Sequence, residues 1–542
     1  MTMLDFTKKD WWKQAVVYQI YPKSFQDSNG DGIGDLPGIL SRLDYLQTLG
    51  VDALWLSPVF ASPQADNGYD ISDYRAIDPL FGDMEDMRTL IREARRRGIV
   101  ILLDLVLNHT SDQHRWFLQA RQSRDNPYHD YYIWRDGEPG TPPNGMTATF
   151  GGPAWTWVPE IGQYYFHQFA PQQPDLNWAN PKVRQELYEM IRAWIDEGVG
   201  GFRLDVIDQI GKDPDLEVTG NGPRLHEFLR ELAASTWAGR NLVTVGEAWG
   251  ADIPRARLYS APDGSEMSMV FQFEQMVLDQ GKTKWEPRPF ALPALKKSIE
   301  RWQQGLHGQG WNSLFWNNHD LPRIVSRWGD DGTARADSAK AWAVALHGLQ
   351  GTPYIYQGEE LGMTNAPYPL ADYRDIESRN AYEEMRAAGK TDAEAMQALH
   401  RMARDNARTP MQWTAGENAG FTTGTPWMRV NPNHTAINAE AELADPDSVF
   451  ATYRALIALR KSHPVVVEGD FTLLCPDDKQ VFAYLRRGAG QLLLVAVNLS
   501  GETAEFALPV AFAGTRPLLA TQGAPRPGVL RPWEALIYCR DL

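Results

Sequence analysis

Two charged residues interrupt the apolar stretch Gly-Phe-Arg-Leu-Asp-Val-Ile-Asp at residues 201–208. Arg203 and Asp205 are two positions apart, so on a β-strand their side chains point to the same side. A permanent cation beside a carboxylate keeps that carboxylate ionised and oriented, as an attacking nucleophile requires. The same pair can also be a purely structural ion pair. The octapeptide alone therefore leaves both interpretations open.

Three more polar stretches close apolar, strand-like runs. They are Asp104-Leu-Val-Leu-Asn-His109, Gly246-Glu-Ala-Trp249 and Phe315-Trp-Asn-Asn-His-Asp320. Together with residues 201–208, they put carboxylates and imidazoles at the ends of four predicted strands. Such a set favours a catalytic site over an isolated ion pair.

Short apolar, β-rich runs alternate with longer runs of helical period, which predicts repeated βα units and a parallel sheet. Strands are predicted at residues 16–22, 52–58, 99–106, 201–207, 242–248, 268–274, 313–319 and 352–358. Helices are predicted at residues 36–49, 84–97 and 181–197, the last with Asn180 as its cap and Pro181 in its first turn. Eight such units predict an α/β fold, the (β/α)8 TIM barrel. Catalytic groups of this barrel lie at the C-terminal ends of its strands, which is where the four polar stretches stand.

In chain order, the four stretches resemble the four signature regions of the α-amylase superfamily of glycoside hydrolases, and the resemblance covers nearly the whole chain. Gln173-Pro-Asp-Leu-Asn177 resembles the marker of the oligo-1,6-glucosidase and dextran glucosidase branch. The resemblance implies retaining hydrolysis, with Asp205 as nucleophile, Glu247 as general acid and base, and Asp320 as a third carboxylate that holds sugar hydroxyls. Arg203 is expected to lower the pKa of Asp205, so that Glu247 is the carboxyl that keeps its proton near neutral pH.

The resemblance also implies residues that bind the glucose at the cleavage point. Asp66 is expected to hold hydroxyls and Tyr69 to stack on the sugar ring, while Phe150 walls the pocket. The complete set for this sugar is Asp66, Tyr69, His109, Phe150, Arg203, His319 and Arg404, the last chosen over Arg408.

Four further positions bear on the bond that is cut. Trp249, Lys284 and Glu377 match positions that line the site for the departing sugar in dextran glucosidases. Val206 directly follows the nucleophile, where relatives that cut α-1,6 bonds carry Val and those that prefer α-1,4 bonds carry Thr or Ala. An ordinary β-branched strand residue is the other interpretation of Val206. The sequence therefore favours cleavage of α-1,6-glucosidic bonds from the non-reducing end of isomalto-oligosaccharides.

A glycine-rich acidic loop, Asp27-Ser-Asn-Gly-Asp-Gly-Ile-Gly-Asp35, follows the first predicted strand. Its alternating oxygen-bearing side chains are typical of the first part of a calcium loop, although the Glu that completes an EF-hand is missing. The similar loop of oligo-1,6-glucosidases implies one structural divalent cation, Ca²⁺, with ligands Asp27, Asn29, Asp31, the carbonyl of Ile33 and Asp35. A solvated acidic loop is the alternative interpretation. No catalytic cofactor is implied.

The segment after the third predicted strand is rich in Pro, Gly and Trp and is too long for a structureless loop in a compact domain. The resemblance implies an inserted B domain here. We therefore predict four segments: a first part of the catalytic barrel at 1–104, the B domain at 105–177, the second part of the barrel at 178–467 with a helical excursion at 366–420, and a C-terminal all-β sandwich domain at 468–542.

The composition restricts the partners. The 53 basic and 69 acidic residues give a formal net charge of −16, which disfavours nucleic acid and acidic membrane surfaces and favours a small neutral oligosaccharide. Cys475 and Cys539 have no spacing typical of a metal site or a disulfide framework. No apolar run predicts a signal peptide or a membrane span. We predict a cytoplasmic monomer.

Two alternative enzymes share the predicted intermediate. A trehalose-6-phosphate hydrolase resembles the chain in Trp11-Trp12, in Gly362-Met-Thr-Asn365 and in Lys284-Trp285, and Lys282 with Lys284 could contribute to a phosphate site. The acidic net charge weighs against it. A transglucosylating α-glucosidase or sucrose isomerase would pass glucose to a sugar instead of water, but the arginine-rich loop typical of sucrose isomerases is not found at residues 272–278.

The alternative from another class is a non-catalytic, partner-binding module, similar to the ectodomain of an amino-acid transporter heavy chain. Such a protein carries a membrane span and loses the catalytic carboxylates. This chain retains Asp205, Glu247 and Asp320, so we expect an enzyme, although a fold by itself does not imply a function.

Overall fold

Eight short strands form the central sheet of the protein in the computed structural model, which describes residues 4–542. They are β1 Val17–Ile20, β2 Ala53–Leu56, β3 Val100–Val106, β4 Gly201–Asp205, β5 Val243–Glu247, β6 Met269–Phe271, β7 Ser313–Leu314 and β8 Thr352–Tyr356. Their order in the sheet is β6-β5-β4-β3-β2-β1-β8-β7. The pairs β1–β8, β3–β4, β4–β5, β5–β6 and β7–β8 are parallel. This order is that of a (β/α)8 barrel, which confirms the predicted fold class.

The strands form where the sequence predicts them, because their apolar runs are buried. All seven residues of β3 are buried, as expected for a parallel strand that is covered on both faces. β4 begins at Gly201, where a Cβ atom would lie 1.9 Å from the carbonyl oxygen of Val243 in β5. Only glycine permits this close approach of two backbones.

The helices separate the strands as the βα pattern requires. Those before β5 are Leu36–Ser41, Leu43–Leu49, Met84–Arg96, Arg115–Ala120, Pro181–Asp196 and Leu225–Ser235. Those after β5 are Ile253–Tyr259, Leu292–Leu306, Ile324–Arg327, Arg335–His347, Ile376–Ala387, Asp392–Met402, Ala439–Ala444, Val449–Ser462 and Val465–Glu468. The single helix predicted at residues 36–49 is two helices, because Arg42 leaves the helical conformation at φ −104° and ψ 5°. Asn180 caps the helix Pro181–Asp196 by accepting a hydrogen bond from the Lys182 amide, as predicted.

Contacts divide the chain into two compact units. One contains the residues up to Leu54, Arg96–Ile99 and Phe273–Leu542, and it carries β1, β7 and β8. The other contains Trp55–Arg95 and Val100–Gln272, and it carries β3 to β6. The four segments predicted from the sequence, with the three boundaries between them, stay a prediction.

The segment between β3 and β4 contains a small antiparallel sheet of Trp134–Asp136, Gln163–Phe166 and Trp155–Val158, with Gln163–Phe166 in the middle. Its core consists of Ala154, Trp155, Tyr164 and Phe166. Aromatic residues in this segment therefore build a folded insertion rather than an extended loop.

The C-terminal part of the chain folds into an antiparallel sheet of five strands. They are β9 Asp470–Leu474, β10 Val481–Gly488, β11 Gln491–Asn498, β12 Leu519–Ala520 and β13 Ala535–Asp541, in the order β9-β10-β11-β13-β12. All five strands lie within residues 468–542, where the sequence predicts an all-β domain. Within residues 4–542, no helix has both the length and the apolar character that a membrane span requires.

Candidate active site

The guanidinium group of Arg203 binds three carboxylates at the end of the central strands. Its Nη1 atom donates to Asp104 Oδ1 at 2.8 Å and to Asp205 Oδ1 at 2.7 Å, and its Nη2 atom donates to Glu247 Oε2. Arg203 is 2% exposed, and the three acids are also buried. We call these four residues the Arg203 cluster. β3, β4 and β5 are adjacent in the sheet, so the cluster follows directly from the strand order.

Asp104 completes this cluster, although the sequence analysis assigns it no catalytic or binding role. Its Oδ2 atom accepts hydrogen bonds from Trp55 Nε1 and from the Tyr69 hydroxyl, both at 3.0 Å. The Arg203 guanidinium also lies 5.1 Å from the centre of the Trp55 ring. Two aromatic rings and a buried acid thus fix the cation in one position. Tyr69, predicted to stack on a sugar, is tied through its hydroxyl to this network.

The pKa of Asp205 shifts in the opposite direction to the one predicted. Burial raises the pKa of Asp205 well above its ordinary value, and the charge of Arg203 opposes this shift without reversing it. Burial likewise raises the pKa of Asp104 to about 6. The prediction considered Arg203 alone, whereas one cation is shared by three buried acids that repel one another. The cluster therefore favours a state in which its acids together retain a proton.

Glu247 accepts hydrogen bonds from residues on both sides of it. Its Oε2 atom accepts from the Val206 amide at 3.2 Å as well as from Arg203, and its Oε1 atom accepts from Trp249 Nε1 at 2.9 Å. Val206 has a left-handed backbone, with φ 35° and ψ 43°, which is rare for a β-branched residue. The predicted strand at 201–207 therefore ends at Asp205, and Val206 is the turn that follows it.

Asp66 and His109 are connected by Gln173, a residue to which the sequence assigns no role in the site. Gln173 Nε2 lies 3.1 Å from Asp66 Oδ2 and 3.2 Å from His109 Nε2. Burial lowers the pKa of His109 to about 4, so its ring is neutral at pH 7. Phe150 lies in the same unit, with its ring 5.6 Å from Phe169. The Phe169 ring is in turn 5.2 Å from His109. Phe150, the predicted wall of the pocket, is therefore connected to His109 through the Phe169 ring.

Asp320 belongs to a second group of charges in the other compact unit. Its Oδ1 atom accepts from Arg408 Nη2 at 2.7 Å and from Arg404 Nη1 at 3.3 Å. Both arginines also pair with Asp375, at 2.5 Å for Arg404 and 3.4 Å for Arg408. Burial opposes the shift, but these two guanidinium groups lower the pKa of Asp375 to about 2. The predicted Arg404 is thus one of two cations at Asp320, and Arg408 is the closer one.

His319 contacts Gln19 and Tyr21, and its Nε2 atom lies 3.4 Å from Asp320 Oδ2. Its Nδ1 atom lies 2.8 Å from Gln19 Nε2, and its ring stacks on Tyr21 at 6.2 Å. The backbone carbonyl of His319 accepts from Arg408 Nε at 3.0 Å. The two residues predicted at this exit, His319 and Asp320, are therefore both oriented by Arg408.

Lys284 and Glu377 contact each other, as expected if they line one site. Lys284 Nζ lies 2.5 Å from Glu377 Oε2, and Arg404 Nε lies 3.3 Å from the same oxygen. Side chains of both residues are one-fifth exposed. Glu377 stands in the first turn of the helix Ile376–Ala387, which Asp375 caps. The helix start thus brings the Glu377 carboxylate next to the Asp375 ion pairs.

The loop at residues 27–35 is folded by its own hydrogen bonds. Asp27 accepts from the Asn29, Gly30 and Gly32 amides at 2.8 Å each, and Asp35 accepts from the Gly38 amide at 2.6 Å. Burial and the charge of Asp27 raise the pKa of Asp35. In the part of the chain that the structure describes, no three His, Cys, Asp or Glu side chains form a metal site by themselves. The predicted set also uses the oxygens of the Asn29 side chain and the Ile33 carbonyl, which are the type of ligand that a hard cation prefers. A cation bound to this loop stays a prediction.

Comparisons with known proteins agree with this geometry. Residues 19–469 match the family model for the α-amylase catalytic domain, and residues 471–530 match the C-terminal domain of maltogenic amylase. The oligo-1,6-glucosidase of Parageobacillus thermoglucosidasius is 51% identical over 97% of this chain and 98% of its own length. The glucan 1,6-α-glucosidase of Streptococcus pneumoniae is 51% identical over 99% of this chain and 100% of its own.

A solved structure agrees as well. The crystal structure of Bacillus licheniformis trehalose-6-phosphate hydrolase superposes with a TM-score of 0.94 at 46% identity, over 98% of this chain and 100% of that one. The family model spans most of the chain and includes β3, β4, β5 and β7, with their polar ends. The chain is a glycoside hydrolase and belongs to the α-amylase family.

Proposed function

We propose that this protein is a retaining α-glucosidase that releases glucose from the non-reducing ends of α-1,6-linked isomalto-oligosaccharides. The observation that carries the proposal is the Arg203 cluster, in which one buried cation binds both Asp205 and Glu247. Retaining glycosidases use two neighbouring carboxyl groups in this way. The names of the two relatives at 51% identity support the α-1,6 linkage.

Asp205 is the proposed nucleophile. Its Oδ1 atom is bound by Arg203, and Oδ2 accepts no hydrogen bond from the side chains or backbone described at 4–542. In the first step Oδ2 attacks the anomeric carbon while Glu247 gives its proton to the glycosidic oxygen, so that the C–O bond breaks and the leaving sugar departs neutral. A covalent glucosyl ester on Asp205 remains.

Glu247 then acts as the general base. It takes a proton from a water molecule, whose oxygen attacks the anomeric carbon and displaces Asp205. Glucose leaves with its original α configuration, and the proton is back on Glu247. Arg203 stays charged throughout, so it stabilises the carboxylate that Asp205 becomes again.

We assign the other residues to the sugars on either side of the bond. Asp320 is proposed to hold hydroxyls of the glucose ring, with Arg404 and Arg408 fixing its position. Asp66, Tyr69, Phe150, His109 and His319 are proposed to contact the same ring. Trp249, Lys284 and Glu377 are proposed to bind the departing sugar, and Val206 to favour the α-1,6 bond.

The test of this proposal is glucose release from isomaltose, maltose, sucrose and trehalose-6-phosphate at equal concentration. We expect isomaltose to be cut fastest. If maltose is cut fastest, the assignment of Val206 is wrong, whereas the assignment of the catalytic carboxylates stands. Product analysis by nuclear magnetic resonance at early times is expected to show α-glucose first, and β-glucose first would contradict the retaining mechanism.

Trehalose-6-phosphate hydrolysis is the second candidate, because the crystal structure described above carries that name at 46% identity. A phosphate site needs cations that are not already neutralised. Lys284 is paired with Glu377 at 2.5 Å, and this carboxylate would repel a phosphate. The ion pair therefore supports a neutral departing sugar. Faster release from trehalose-6-phosphate than from isomaltose would reverse this choice.

We also propose a bound cation, a cellular location and an oligomeric state. The loop at 27–35 holds one structural divalent cation, Ca²⁺, and takes no part in the reaction. The protein acts in the cytoplasm, since Cys475 and Cys539 are both free thiols, as is usual in a reducing compartment. It acts as a monomer, which light scattering coupled to size-exclusion chromatography can test.

A further inference from the structure

A loop held by two side chains follows the strand that carries Glu247. The Asp208 Oδ2 atom accepts from the Gly250 amide at 3.1 Å, and Asn221 Nδ2 donates to the Gly250 carbonyl at 3.2 Å. The backbone amide and the backbone carbonyl of Gly250 are thus both hydrogen-bonded by side chains. We call Asp208 and Asn221 the Gly250 clamp.

The clamp is built into the backbone. Asn221 has a left-handed φ of 53°, and its amide donates to the Asp208 carbonyl at 2.8 Å. A Cβ atom at residue 250 would lie 2.2 Å from Asn221 Nδ2, so a larger residue there would have to displace the Asn221 amide. The Tyr259 hydroxyl donates to Asn221 Oδ1 at 3.1 Å and fixes the orientation of that amide. Such closely fitted parts hold a backbone segment in one place.

The residue before Gly250 is Trp249, which connects the clamp to the proposed catalytic acid, Glu247. Trp249 is 47% exposed, although its Nε1 atom donates to Glu247 Oε1 at 2.9 Å. In the proposed function Glu247 protonates the glycosidic oxygen, so a ring bound to Glu247 and open to solvent lies on the side of the departing sugar.

Asp208 is an unusual choice for a purely structural acceptor. It is 3% exposed, and its Oδ1 atom accepts no hydrogen bond from any residue in the range 4–542. Burial raises the pKa of Asp208 to about 7, and the charge of Glu247 adds to this rise. A buried acid with an unsatisfied oxygen destabilises a fold, which indicates that its position serves another purpose.

We propose that the Gly250 clamp positions Trp249 and thereby determines how well the enzyme uses the departing sugar. Asp208 and Asn221 are positioning residues, since they act through Trp249. This inference rests on the proposed function. It gives Asp208 and Asn221, which are not among the sugar contacts proposed above, an indirect role in recognising the departing sugar.

The test compares isomaltose with p-nitrophenyl α-glucoside, whose leaving group is not a sugar and needs little help from an acid. Asp208→Ala removes the acceptor, and Asn221→Gly removes the amide while tolerating the left-handed φ. We expect each to lower kcat/KM for isomaltose roughly tenfold to a hundredfold, the effect of one or two lost hydrogen bonds in a transition state. For the aryl glucoside we expect a change of at most about threefold. Asp208→Asn keeps an acceptor and is expected to restore most of the isomaltose activity.

A double-mutant cycle identifies the route. In a Trp249→Ala background, Asp208→Ala is expected to cause no further loss on isomaltose, because the clamp then has nothing to position. Full additivity of the two losses would overturn the proposal, as would equal losses on both substrates. Asp263→Asn is the matched control, since Asp263 also accepts a backbone amide, that of Ser265, but in an exposed turn.

The wild-type enzyme is first assayed on the four natural disaccharides. If isomaltose is not cut, the proposed function fails, and the clamp is then tested with the disaccharide that is cut fastest. Melting temperatures of all variants show whether a loss comes from unfolding. A loss on the disaccharide alone, at an unchanged melting temperature, is the outcome that a merely structural role cannot produce.

Discussion

The backbone amide of Val206 donates to Glu247 Oε2 at 3.2 Å. This bond joins the turn after the proposed nucleophile to the proposed acid on the next strand. Val206 makes it in a left-handed conformation, which costs a β-branched residue about 1–3 kcal/mol. Residues kept in such conformations are typical of functional sites. The bond also places the Val206 backbone next to the Glu247 carboxyl.

Val206→Thr is expected to move the preference from α-1,6 toward α-1,4 bonds. Thr keeps the shape, the β-branch and the backbone amide, and it adds a hydroxyl on the residue that directly follows the proposed nucleophile, where it can bind a differently placed sugar. We expect the ratio of kcat/KM for maltose to that for isomaltose to rise roughly tenfold or more. Val206→Ile adds no hydroxyl and serves as the control. An unchanged ratio in the Thr variant would show that this position does not select the linkage.

Asp205→Asn is expected to fold normally and lose nearly all turnover. The amide is as large as the carboxylate but is a poor nucleophile, so kcat is expected to fall by about 10⁴-fold or more. Arg203 keeps its bonds to Asp104 and Glu247 in this variant, so the melting temperature is expected to change little. Glucose release and circular dichroism provide the two measurements. Activity near that of the wild type would contradict the assignment of Asp205.

The strands of the barrel could be predicted because each is a short apolar run between helical segments. The eight predicted ranges each contain the observed strand, as in Val100–Val106 within 99–106. The break at Arg42 was missed, since the apolar period continues through it and only the backbone angles show the change. Strand positions can thus be predicted from buried apolar runs. A local change of backbone conformation inside a periodic segment cannot be predicted in this way.

The site was predictable only in part, because a sequence shows which residues stand at strand ends but not which ones share a partner. Asp205 and Glu247 could be found in this way. The sharing of Arg203 with Asp104 could not, and neither could the burial that raises the pKa of Asp205. Asp375 was missed for the same reason, and Arg404 was preferred over Arg408. Asp320 and Asp375 share Arg408 as a partner, which lies more than eighty residues from the first and more than thirty from the second in the sequence, and no local pattern connects the three.

Glu359→Gln is expected to flatten the pH dependence of stability. Burial raises the pKa of Glu359 to about 7 from its ordinary 4.5, while its oxygens accept from the Tyr453 hydroxyl and from Asn317 Nδ2. A group with a raised pKa contributes stability below its unfolded pKa, and that contribution is lost as the pH rises through the folded pKa. The loss between about pH 4.5 and 7 corresponds to as much as about 3 kcal/mol.

Denaturant unfolding across that pH range measures the effect. We expect the variant to gain free energy of unfolding relative to the wild type as the pH rises, because Gln carries no charge to bury. Glu383→Gln, at an exposed position, is the control and is expected to follow the wild type. Parallel curves for the wild type and Glu359→Gln would show that Glu359 does not titrate in this range.

Removal of divalent cations is expected to lower the melting temperature without changing turnover at room temperature. A cation bound to the loop at 27–35 binds only the folded chain, so it adds about 2.7 kcal/mol to the free energy of unfolding at a hundred times its Kd. A chelator removes that contribution. No step of the proposed reaction uses the loop, so glucose release at 25 °C is expected to persist.

Asp27→Asn distinguishes cation binding from a general effect of the chelator. The variant keeps the oxygen that accepts the Asn29 and Gly30 amides, but it loses a charge that a divalent cation needs. Its melting temperature is expected to be lower than that of the wild type and unaffected by the chelator. Added Ca²⁺ is expected to restore the chelated wild type but not the variant. If the chelator leaves the wild type unchanged, the loop is a solvated acidic turn held by its own backbone hydrogen bonds.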